Sequence, residues 1–369
     1  MKNYPIAKPN ITEKEKKAVL SVLESGILSL GPIHKEFEKK FARAVGTKYA
    51  ASVSSGTAGL HLAMIAAGIG AGDEVITTPF SFVASANSIL YVGAKPIFVD
   101  IDEQTFNIDA AKIEGAITKK TKAILVVHIF GQTCDMDAIT EIAEKHNLKI
   151  IEDSCESLFA KYKGRHAGTF GETSVFAFYP NKQITTGEGG MVVTDDEKAY
   201  EFITSLRNQG RSPDMQWLDH KYLGYNYRMD EMSAALGSVQ LDRAEYLLNE
   251  RRKLAEAYNK ILPQYSDALE LPCVAPENEH TWFVYVVKVK QGIDRDELIR
   301  KMAKEGVATK PYLPSIHLFE FYKKRLGFKA GDYPVSESAS RRTLALPFYI
   351  GLKEEDLIHI CKRLATNCK

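Results

Sequence analysis

Apolar residues recur at helical spacing near the start of the chain, in ITEKEKKAVLSVLESG. Thr12 stands where a helix N-cap is expected, Glu15 follows three residues later as in a capping box, and Gly26 closes the apolar run. The segments TAGLHLAMIAAGIGAGDEVITT and ANSILYVGAKPIFVDID then each repeat a helix followed by a short strand. The pattern therefore predicts an N-terminal helix followed by alternating helices and strands.

Short β-branched or aromatic runs continue this alternation. They are KAILVVHIFG, KIIEDS, SVFAFY and GMVVTD, and helical stretches such as DMDAITEIAEKHN separate several of them. Alternation of this kind is typical of an α/β fold whose sheet is mostly parallel. We therefore predict a large α/β domain over residues 1–240.

The pattern changes after about residue 230, where DEMSAALGSVQLDRAEYLLNERRKLAEAYNKIL predicts one long connecting helix with charged residues on one side. Beyond it come the apolar run HTWFVYVVKV, a helix in DRDELIRKMAKEG, the proline-bearing loop KPYLPSIHLFEFY and a final helix from about Lys353. We predict that residues 241–369 comprise the connecting helix and a smaller α+β domain.

Composition and charge narrow the classes of partner. The chain has 369 residues, 45% of them hydrophobic, which is enough for two cores. With 48 Lys and Arg against 47 Asp and Glu, the net charge of +1 favours neither nucleic acid nor an anionic membrane. The N-terminal segment lacks the apolar core of a signal peptide, and no run approaches roughly 18 apolar residues. We expect a cytoplasmic protein with small-molecule ligands.

The cysteine pattern argues against two structural devices. Five cysteines are an odd number, and they lie far apart with no CxxC pair. Such a pattern predicts neither a disulfide framework nor a zinc site, so we expect no metal.

A hydroxyl-rich turn precedes an apolar helix in VSSGTAGLHLAM, where Ser54, Ser55, Gly56 and Thr57 stand before the helical run. Free N–H groups at a helix N-terminus and the positive end of the helix dipole favour an anion such as phosphate. The alternative is that Ser55 or Thr57 merely caps the helix. The later glycines of GIGAGD follow a helix and lack the G-x-G-x-x-G spacing, which argues against a nicotinamide enzyme.

Two charged residues follow apolar strands farther along the chain. Asp153 ends a strand at the edge where open α/β sheets bind ligands. A carboxylate there needs a cationic partner, such as a protonated pyridine. The alternative role for Asp153 is to cap the next helix. Lys182 follows SVFAFY and, taken alone, is typical of a solvated residue. A phosphate cradle, a carboxylate and a lysine in this order are the parts of a pyridoxal phosphate (PLP) site.

Five longer stretches are together more specific than any short motif. They are SSGTAGLHLAMIAAGIGAGDEVITTPFSFVASANSILYVGAKPIFVDID, IEDSCESLFAKYKGRHAGTFG, FYPNKQITTGEGGMVVTDD, LRNQGR and GYNYRMDEMSAALGSVQL. They resemble the DegT/StrS family of PLP-dependent nucleotide-sugar aminotransferases over nearly the whole chain. The resemblance implies the PLP-dependent transferase fold type I, as in aspartate aminotransferase, and a homodimer whose active sites lie at the subunit interface.

The resemblance also implies roles for individual residues. Lys182 is the Schiff-base lysine and proton shuttle, and Asp153 pairs with the pyridinium nitrogen. Gly56 and Thr57 form the phosphate cradle. Asn226 in GYNYR corresponds to an asparagine that reaches the phosphate from the neighbouring subunit, which implies that a monomer would be impaired.

Three further positions lie close to the cofactor in the family. Phe82 in PFSFVASAN corresponds to a ring stacked on the cofactor, and the alternative is a core aromatic. Ala177 departs from the family pattern, since many relatives have a serine that bonds the phosphate there. Glu156 stands where Gln or His is common beside the phenolic oxygen, and a carboxylate there has a raised pKa unless a cation intervenes.

The implied reaction is a ping-pong transamination from L-glutamate, which leaves as 2-oxoglutarate, to a keto nucleotide sugar. The lysine moves a proton in this reaction, which needs an amine that can be neutral near pH 7. The run ITTGEGG is more like enzymes that aminate carbon 4 of a 4-keto-6-deoxy sugar than carbon 3 enzymes. We expect a role in surface polysaccharide or glycan biosynthesis, and no residue selects UDP, GDP or dTDP.

Candidate sugar contacts come from two places. Tyr312 and His317 lie in TKPYLPSIHLFEFY, a loop near the sugar in relatives, and Tyr179 and Asn181 flank Lys182. The alternative for His317 is a loop histidine without a ligand.

The sequence leaves three alternative functions. A related branch deoxygenates sugars, but its members carry histidine in place of the lysine. Another branch aminates keto-cyclitols, and only a substrate panel distinguishes that activity from sugar amination. The third alternative is a cofactor-binding regulator without catalysis, against which Lys182 and Asp153 both argue.

Overall fold

The computed structural model describes residues 2–212 and 219–368. Its α-helices are α1 (Glu13–Ser25), α2 (Ile33–Val45), α3 (Gly56–Ala66), α4 (Ala84–Tyr91), α5 (Ala110–Ile113), α6 (Met136–His146), α7 (Glu197–Arg207), α8 (Glu231–Asp242), α9 (Ala244–Ile261), α10 (Arg295–Lys304), α11 (Glu320–Leu326), α12 (Pro334–Arg342) and α13 (Glu354–Asn367). Its strands are β1 (Tyr49–Val53), β2 (Glu74–Thr77), β3 (Lys95–Phe98), β4 (Thr121–Val127), β5 (Lys149–Asp153), β6 (Lys161–Tyr162), β7 (Arg165–His166), β8 (Thr173–Ala177), β9 (Gly190–Thr194), β10 (Leu269–Glu270), β11 (Asn278–Glu279), β12 (Tyr285–Val289), β13 (Lys310–Pro311) and β14 (Thr343–Leu346).

A seven-stranded sheet with the order β1-β9-β8-β5-β4-β2-β3 forms the core of the first half. The pairs from β8 across to β3 are parallel, while β9 is antiparallel to both of its neighbours. The predicted α/β fold with a mostly parallel sheet is therefore confirmed. Because β4, β5 and β8 are adjacent and parallel, their carboxyl ends meet at one edge, where ligands bind in such sheets.

The N-terminal helix forms as its sequence predicts. Thr12 caps α1, the Glu15 side chain accepts from the Thr12 N–H at 2.8 Å to complete the capping box, and Gly26 ends the helix in the left-handed conformation at φ 69°. Glu15 is buried, and it also binds Arg243 and Gln240 at the C-terminal end of α8. These contacts attach α1 to α8.

The prediction of one long helix after residue 230 is wrong, because the chain forms α8 and α9 with a break between them. At Arg243 the backbone leaves the helical conformation (φ −103°, ψ 0°), and its N–H bonds to the Gln240 carbonyl in a tighter turn. The Arg243 guanidinium binds Glu15 and Asn10 at this point, so the break allows a contact with the N-terminal segment.

A second sheet, of order β10-β12-β14-β13 and antiparallel throughout, forms the core of the C-terminal part. Tyr258 of α9 packs on Tyr285 of β12 with ring centroids 4.7 Å apart, and α10 and α13 complete this core. The N-terminal segment joins it, because Tyr4 donates to the Gly306 carbonyl at 2.8 Å. The boundary at residue 240 stays a prediction.

The apolar run HTWFVYVVKV enters β12 only from Tyr285. Before that point, Thr281 and Phe283 donate backbone hydrogen bonds to Gly131 (2.9 Å) and Phe130 (3.0 Å), which follow β4. The C-terminal part is thereby fastened to the ligand-binding edge of the large sheet. Among the described helices, none is long and apolar enough to cross a membrane.

Candidate active site

Asp153 is the last residue of β5, at the carboxyl edge of the large sheet. It is buried, and each of its carboxylate oxygens accepts a hydrogen bond, Oδ2 from Ser85 Oγ at 2.6 Å and Oδ1 from the Cys155 N–H at 3.2 Å. Ser81 lies 2.7 Å from the same Ser85 hydroxyl. Donors from two segments thus fix the orientation of this carboxylate.

Lys182 lies in the segment after β8, and its side chain is only 13% exposed. Its Nζ is 3.7 Å from Glu156 Oε1 and 3.9 Å from the centroid of the Phe283 ring. Exposed lysines such as Lys163 also form ion pairs and ring contacts, so the low exposure of Lys182 is what distinguishes it. The folded chain therefore keeps this amine inside the protein, beside a carboxylate and over an aromatic face.

Glu156 is the carboxylate next to Lys182. Its Oε2 accepts from the Phe130 N–H at 2.9 Å, and its backbone carbonyl accepts from Gln183 Nε2 at 2.6 Å. Burial raises the pKa of Glu156, and the charge of Lys182 opposes this shift without cancelling it. Lys182 is thus the cation beside this carboxylate, and at 3.7 Å it is not in hydrogen-bond contact.

Tyr312 and Asn181 complete the cluster. Burial raises the pKa of Tyr312, the nearby charge of Glu156 adds to the shift, and a hydrogen bond from Asn181 opposes it. The Oδ1 atom of Asn181 is buried and accepts no hydrogen bond from any residue that the structure describes. The Tyr312 ring lies 5.7 Å from that of Phe130 and 6.2 Å from that of Phe283. An unsatisfied acceptor therefore lies next to a phenol.

The N-terminus of α3 lies against the ends of β5 and β8. Ser55 caps α3, with Oγ accepting from the Ala58 N–H at 3.1 Å, and the N–H groups of the next two residues have no partner within the helix. A Cβ on Gly56 would lie 2.7 Å from the Cβ of Ala177 and 3.0 Å from Cys155 Sγ. Only glycine fits at this close approach, which brings the first turn of α3 against the carboxyl edge of the sheet.

Phe82 and Tyr179 are aromatic residues with exposed rings at this edge. Phe82 is 61% exposed and Tyr179 is 52% exposed, so neither ring belongs to the core. The Phe82 carbonyl lies 3.2 Å from Ser85 Oγ, the same hydroxyl that donates to Asp153. The backbone of Phe82 is thereby held next to Ser85 and Asp153.

His317 has a different setting from the residues around Lys182. It is fully buried, with Nδ1 3.1 Å from Ser315 Oγ and Nε2 3.1 Å from Glu337 Oε1. Burial lowers the pKa of His317, and Glu337 opposes the shift. Both ring nitrogens of His317 have hydrogen-bond partners and none of its surface is exposed, so the side chain stabilises its own loop. The sequence had left this role open as an alternative.

Asn226 is exposed, and it follows residues 213–218, which lie outside the described part of the chain. Its neighbours are fixed by backbone hydrogen bonds, since Tyr225 donates to Leu206 and Ser54 donates to the Tyr227 carbonyl at 2.8 Å. The segment thus adjoins the turn that precedes α3. The structure of a single chain does not bring Asn226 into the Lys182 cluster.

Several residues of this site were missed in the sequence. Ser85 had a weak signal, as a hydroxyl in the small-residue run ASAN after PFSFV. Phe130, Gln183 and Phe283 gave none. Phe130 acts through its backbone N–H, Gln183 through a side-chain amide that binds a backbone carbonyl, and the Phe283 ring comes from the C-terminal part. A cavity of about 580 Å³ lies elsewhere and includes none of the predicted site residues in its lining.

The residues at this edge fit pyridoxal phosphate. A helix N-terminus with a close glycine suits the phosphate, a fixed carboxylate suits the ring nitrogen, and a sequestered amine suits the aldehyde carbon. The model of the DegT/DnrJ/EryC1/StrS aminotransferase family matches residues 9–365.

Two curated relatives and one solved protein resemble the chain over almost its full length. GDP-perosamine synthase from Escherichia coli is 39% identical, covering 99% of this chain and 98% of the relative. The spore coat polysaccharide biosynthesis protein SpsC from Bacillus subtilis is 40% identical, covering 96% and 94%. The PMP form of the putative sugar aminotransferase Spr1654 from Streptococcus pneumoniae has a TM-score of 0.95 at 30% identity, covering 100% and 98%, and its PLP form has a TM-score of 0.94.

Proposed function

Because the chain belongs to the DegT/DnrJ/EryC1/StrS aminotransferase family, we propose that it transfers the amino group of L-glutamate to carbon 4 of a nucleotide-linked 4-keto-6-deoxy-hexose. The chain is a sugar aminotransferase, and its cofactor is pyridoxal phosphate. The observation that carries the proposal is the position of Lys182, whose mostly shielded amine lies 3.7 Å from Glu156 at the sheet edge that Asp153 also occupies.

The proposed reaction needs no external oxidant. In the first half, the α-carbon of glutamate gives up its amino group and a proton and takes its ketone oxygen from water. The amino group and the electron pair of the broken C–H bond stay in the active site. In the second half, the keto carbon of the sugar gives up its oxygen as water and receives the amino group and a proton. Pyridoxal phosphate, when bound, supplies the electron sink for both halves.

Three parts of the chain hold the cofactor in this proposal. The first-turn N–H groups of α3 at Gly56 and Thr57 bind the phosphate, since they have no partner within the helix and lie at the positive end of its dipole. The Asp153 carboxylate keeps the ring nitrogen protonated, and the donors from Ser85 and Cys155 hold it in place. The exposed Phe82 ring covers one face.

Lys182 is the group that bonds to the cofactor and moves the proton. Its Nζ takes the proton from the glutamate α-carbon and, in the second half, delivers one to the sugar carbon. Glu156, held by the Phe130 N–H, keeps its free oxygen toward this amine. The raised pKa of Glu156 favours a carboxyl group that can share a proton with its neighbours.

The acceptor sugar binds against Tyr312, Asn181 and Tyr179 in this proposal. A sugar hydroxyl can donate to the buried Oδ1 of Asn181, which no described residue satisfies. The exposed Tyr179 ring is available to a second part of the substrate. His317 supports the loop of Tyr312 through Ser315 and does not touch the sugar.

The choice of carbon 4 rests on the resemblance carried by ITTGEGG. In the structure, Thr185 Oγ1 donates to the Phe178 carbonyl at 2.9 Å, so the run forms a tight turn behind Lys182. The name GDP-perosamine synthase supports a nucleotide-linked acceptor, and the name of SpsC supports polysaccharide biosynthesis. A homodimer in which Asn226 reaches the partner's phosphate is part of the proposal, and the cytoplasmic location stays a prediction.

A panel of acceptors tests this function. The purified protein is loaded with PLP and L-glutamate and offered 4-keto-6-deoxy and 3-keto sugars linked to GDP, UDP and dTDP, together with a keto-cyclitol. We expect one 4-keto nucleotide sugar to gain an amino group by mass spectrometry as 2-oxoglutarate forms. Amination of only the cyclitol or a 3-keto sugar would replace the proposal with that alternative.

A further inference from the structure

Arg251 is a buried arginine on α9 that has no carboxylate partner within the described part of the chain. It is 6% exposed, and burial lowers its pKa to about 10 with no charged neighbour opposing the shift. Its hydrogen-bond acceptors are three backbone carbonyls, those of Trp282 at 3.2 Å, Phe283 at 3.1 Å and Lys182 at 3.3 Å. The guanidinium also lies 5.6 Å from the centroid of the Phe348 ring. Burying a cation whose hydrogen bonds all go to neutral carbonyls costs free energy, so these contacts need a reason.

The three carbonyls belong to two segments that meet at the site. Nη1 of Arg251 binds the Trp282 and Phe283 carbonyls, and Nη2 binds the carbonyl of Lys182. The side chains of Lys182 and Phe283 are in contact, with Nζ 3.9 Å from the ring centroid. One guanidinium therefore fixes the backbones of both members of this contact.

We propose that Arg251 is the positioning residue of Lys182. It holds the backbone of the lysine at a set distance from the Phe283 ring, and so keeps the amine over that ring and 3.7 Å from Glu156. This inference rests on the proposed function, because the position of the amine matters only if Lys182 is the reacting group. A reacting group displaced by about 1 Å loses up to roughly 100-fold in rate.

The chemistry of arginine suits this task and that of lysine does not. A guanidinium is planar and presents five N–H donors in a rigid fork, so it can bind acceptors on two segments at once. A lysine ammonium has three donors, but they leave from one nitrogen, so it cannot take the places of Nη1 and Nη2 at the same time. Other bonds reinforce the junction, since Gln183 Nε2 lies 3.3 Å from Thr281 Oγ1.

Three variants separate positioning from general stability. Arg251→Met fills the volume without donors, Arg251→Lys keeps the charge, and Arg252→Met changes the exposed neighbour on the same helix as the control. Each is assayed for thermal unfolding without cofactor, for PLP affinity from the visible absorbance of the loaded protein, and for kcat and KM with glutamate at saturating PLP.

We expect Arg252→Met to match the wild type. Both Arg251 variants should bind PLP at least about tenfold more weakly and lose about 10- to 100-fold in kcat, with the KM for glutamate within about twofold. The inference is overturned if the Arg251 variants match the control in PLP affinity and kcat, or if Arg251→Lys recovers both values fully.

The same experiment distinguishes failure of the inference from failure of the proposed function. If the wild type binds PLP but aminates no sugar of the panel, the proposed function fails, and the PLP affinities of the Arg251 variants still decide the role of Arg251. If the wild type aminates a sugar and Arg251→Met does so equally well, only the inference fails.

Discussion

Glu38 and Glu156 are both buried carboxylates beside a cation, yet the protein shifts their pKa values in opposite directions. Glu38 accepts from the Ser52 N–H at 2.8 Å, from Ser52 Oγ at 2.7 Å and from Arg207 in a direct ion pair. Burial alone would raise the pKa of Glu38, but the charge and hydrogen bonds of Arg207, with those of Ser52, bring it below the usual value. This carboxylate stays ionised.

Glu156 has fewer compensating contacts. One oxygen accepts from the Phe130 N–H, and the other is 3.7 Å from the Lys182 amine, too far for a hydrogen bond. Burial then dominates and raises the pKa of Glu156. The difference teaches that three donors hold the Glu38 carboxylate in its charged form and serve the fold, whereas the Glu156 carboxylate has one donor and a more distant cation, a setting that suits proton exchange.

Removal of Lys182 should have the largest effect on activity. In Lys182→Ala we expect kcat to fall by at least about 1,000-fold, because both the covalent contact and the proton transfer are lost. The apo protein should unfold near the wild-type temperature. Lys163→Ala, which removes an exposed lysine, is the control. Turnover of glutamate and a keto sugar by Lys182→Ala at the control's rate would make the assignment of this lysine wrong.

Removal of Arg207 should lower the stability of the protein. Arg207→Met leaves the buried Glu38 charge without its partner, and breaking such a pair destabilises a protein by about 3–5 kcal/mol. Urea unfolding of the apo protein measures this loss. A variant as stable as the wild type would show that Glu38 and Arg207 are not the structural counterpart of the Glu156 pair.

Glu156→Gln should lower activity and raise stability together. We expect kcat to fall about 10- to 100-fold as the shared proton is lost, while the apo protein gains about 0.5–2 kcal/mol at neutral pH. The pKa of Glu156 is raised in the fold, so its contribution to stability is present at low pH and is lost as pH rises from its ordinary value of 4.5 through the raised value.

The stability difference between Glu156→Gln and the wild type should therefore widen with pH. Unfolding curves at a series of pH values test this expectation. A variant that is less stable than the wild type at neutral pH, as expected for a change in the Glu38 pair, would remove the contrast between the two carboxylates.

Tyr312→Phe should have the smallest effect. It removes the hydroxyl that Asn181 contacts, and we expect the KM for the acceptor sugar to rise about 3- to 10-fold while the glutamate half-reaction is unchanged. Tyr246→Phe, on the exposed side of α9, serves as the control. An equal effect on both half-reactions would assign Tyr312 to the cofactor and not to the sugar.

Local signals account for the parts of the molecule that could be predicted from the sequence. Thr12, Glu15 and Gly26 define α1 because caps act within one turn of the helix. Asp153 could be placed at the sheet edge because it ends an apolar run. The same reasoning located Lys182 after β8, the strand next to β5 in the sheet. These parts together indicated pyridoxal phosphate, and the family resemblance then added the reaction and further residue roles.

The contacts that could not be predicted from the sequence are long-range ones. Phe283 reaches Lys182 across 101 positions of sequence, and the Arg251 guanidinium binds a backbone carbonyl that no side-chain pattern reveals. The break at Arg243 coincides with a contact to α1, and local helical propensity contained no sign of it. His317 shows the converse, since a polar residue in a promising loop is bound inside its own part of the chain.

Borohydride reduction of the PLP-loaded wild type, followed by peptide mass spectrometry, tests the central claim most directly. Reduction makes the bond between the cofactor and its lysine permanent. We predict that the visible absorption is lost and that the pyridoxyl group is found on the peptide that contains Lys182. A label on another lysine, or PLP binding without any covalent label, would contradict the account.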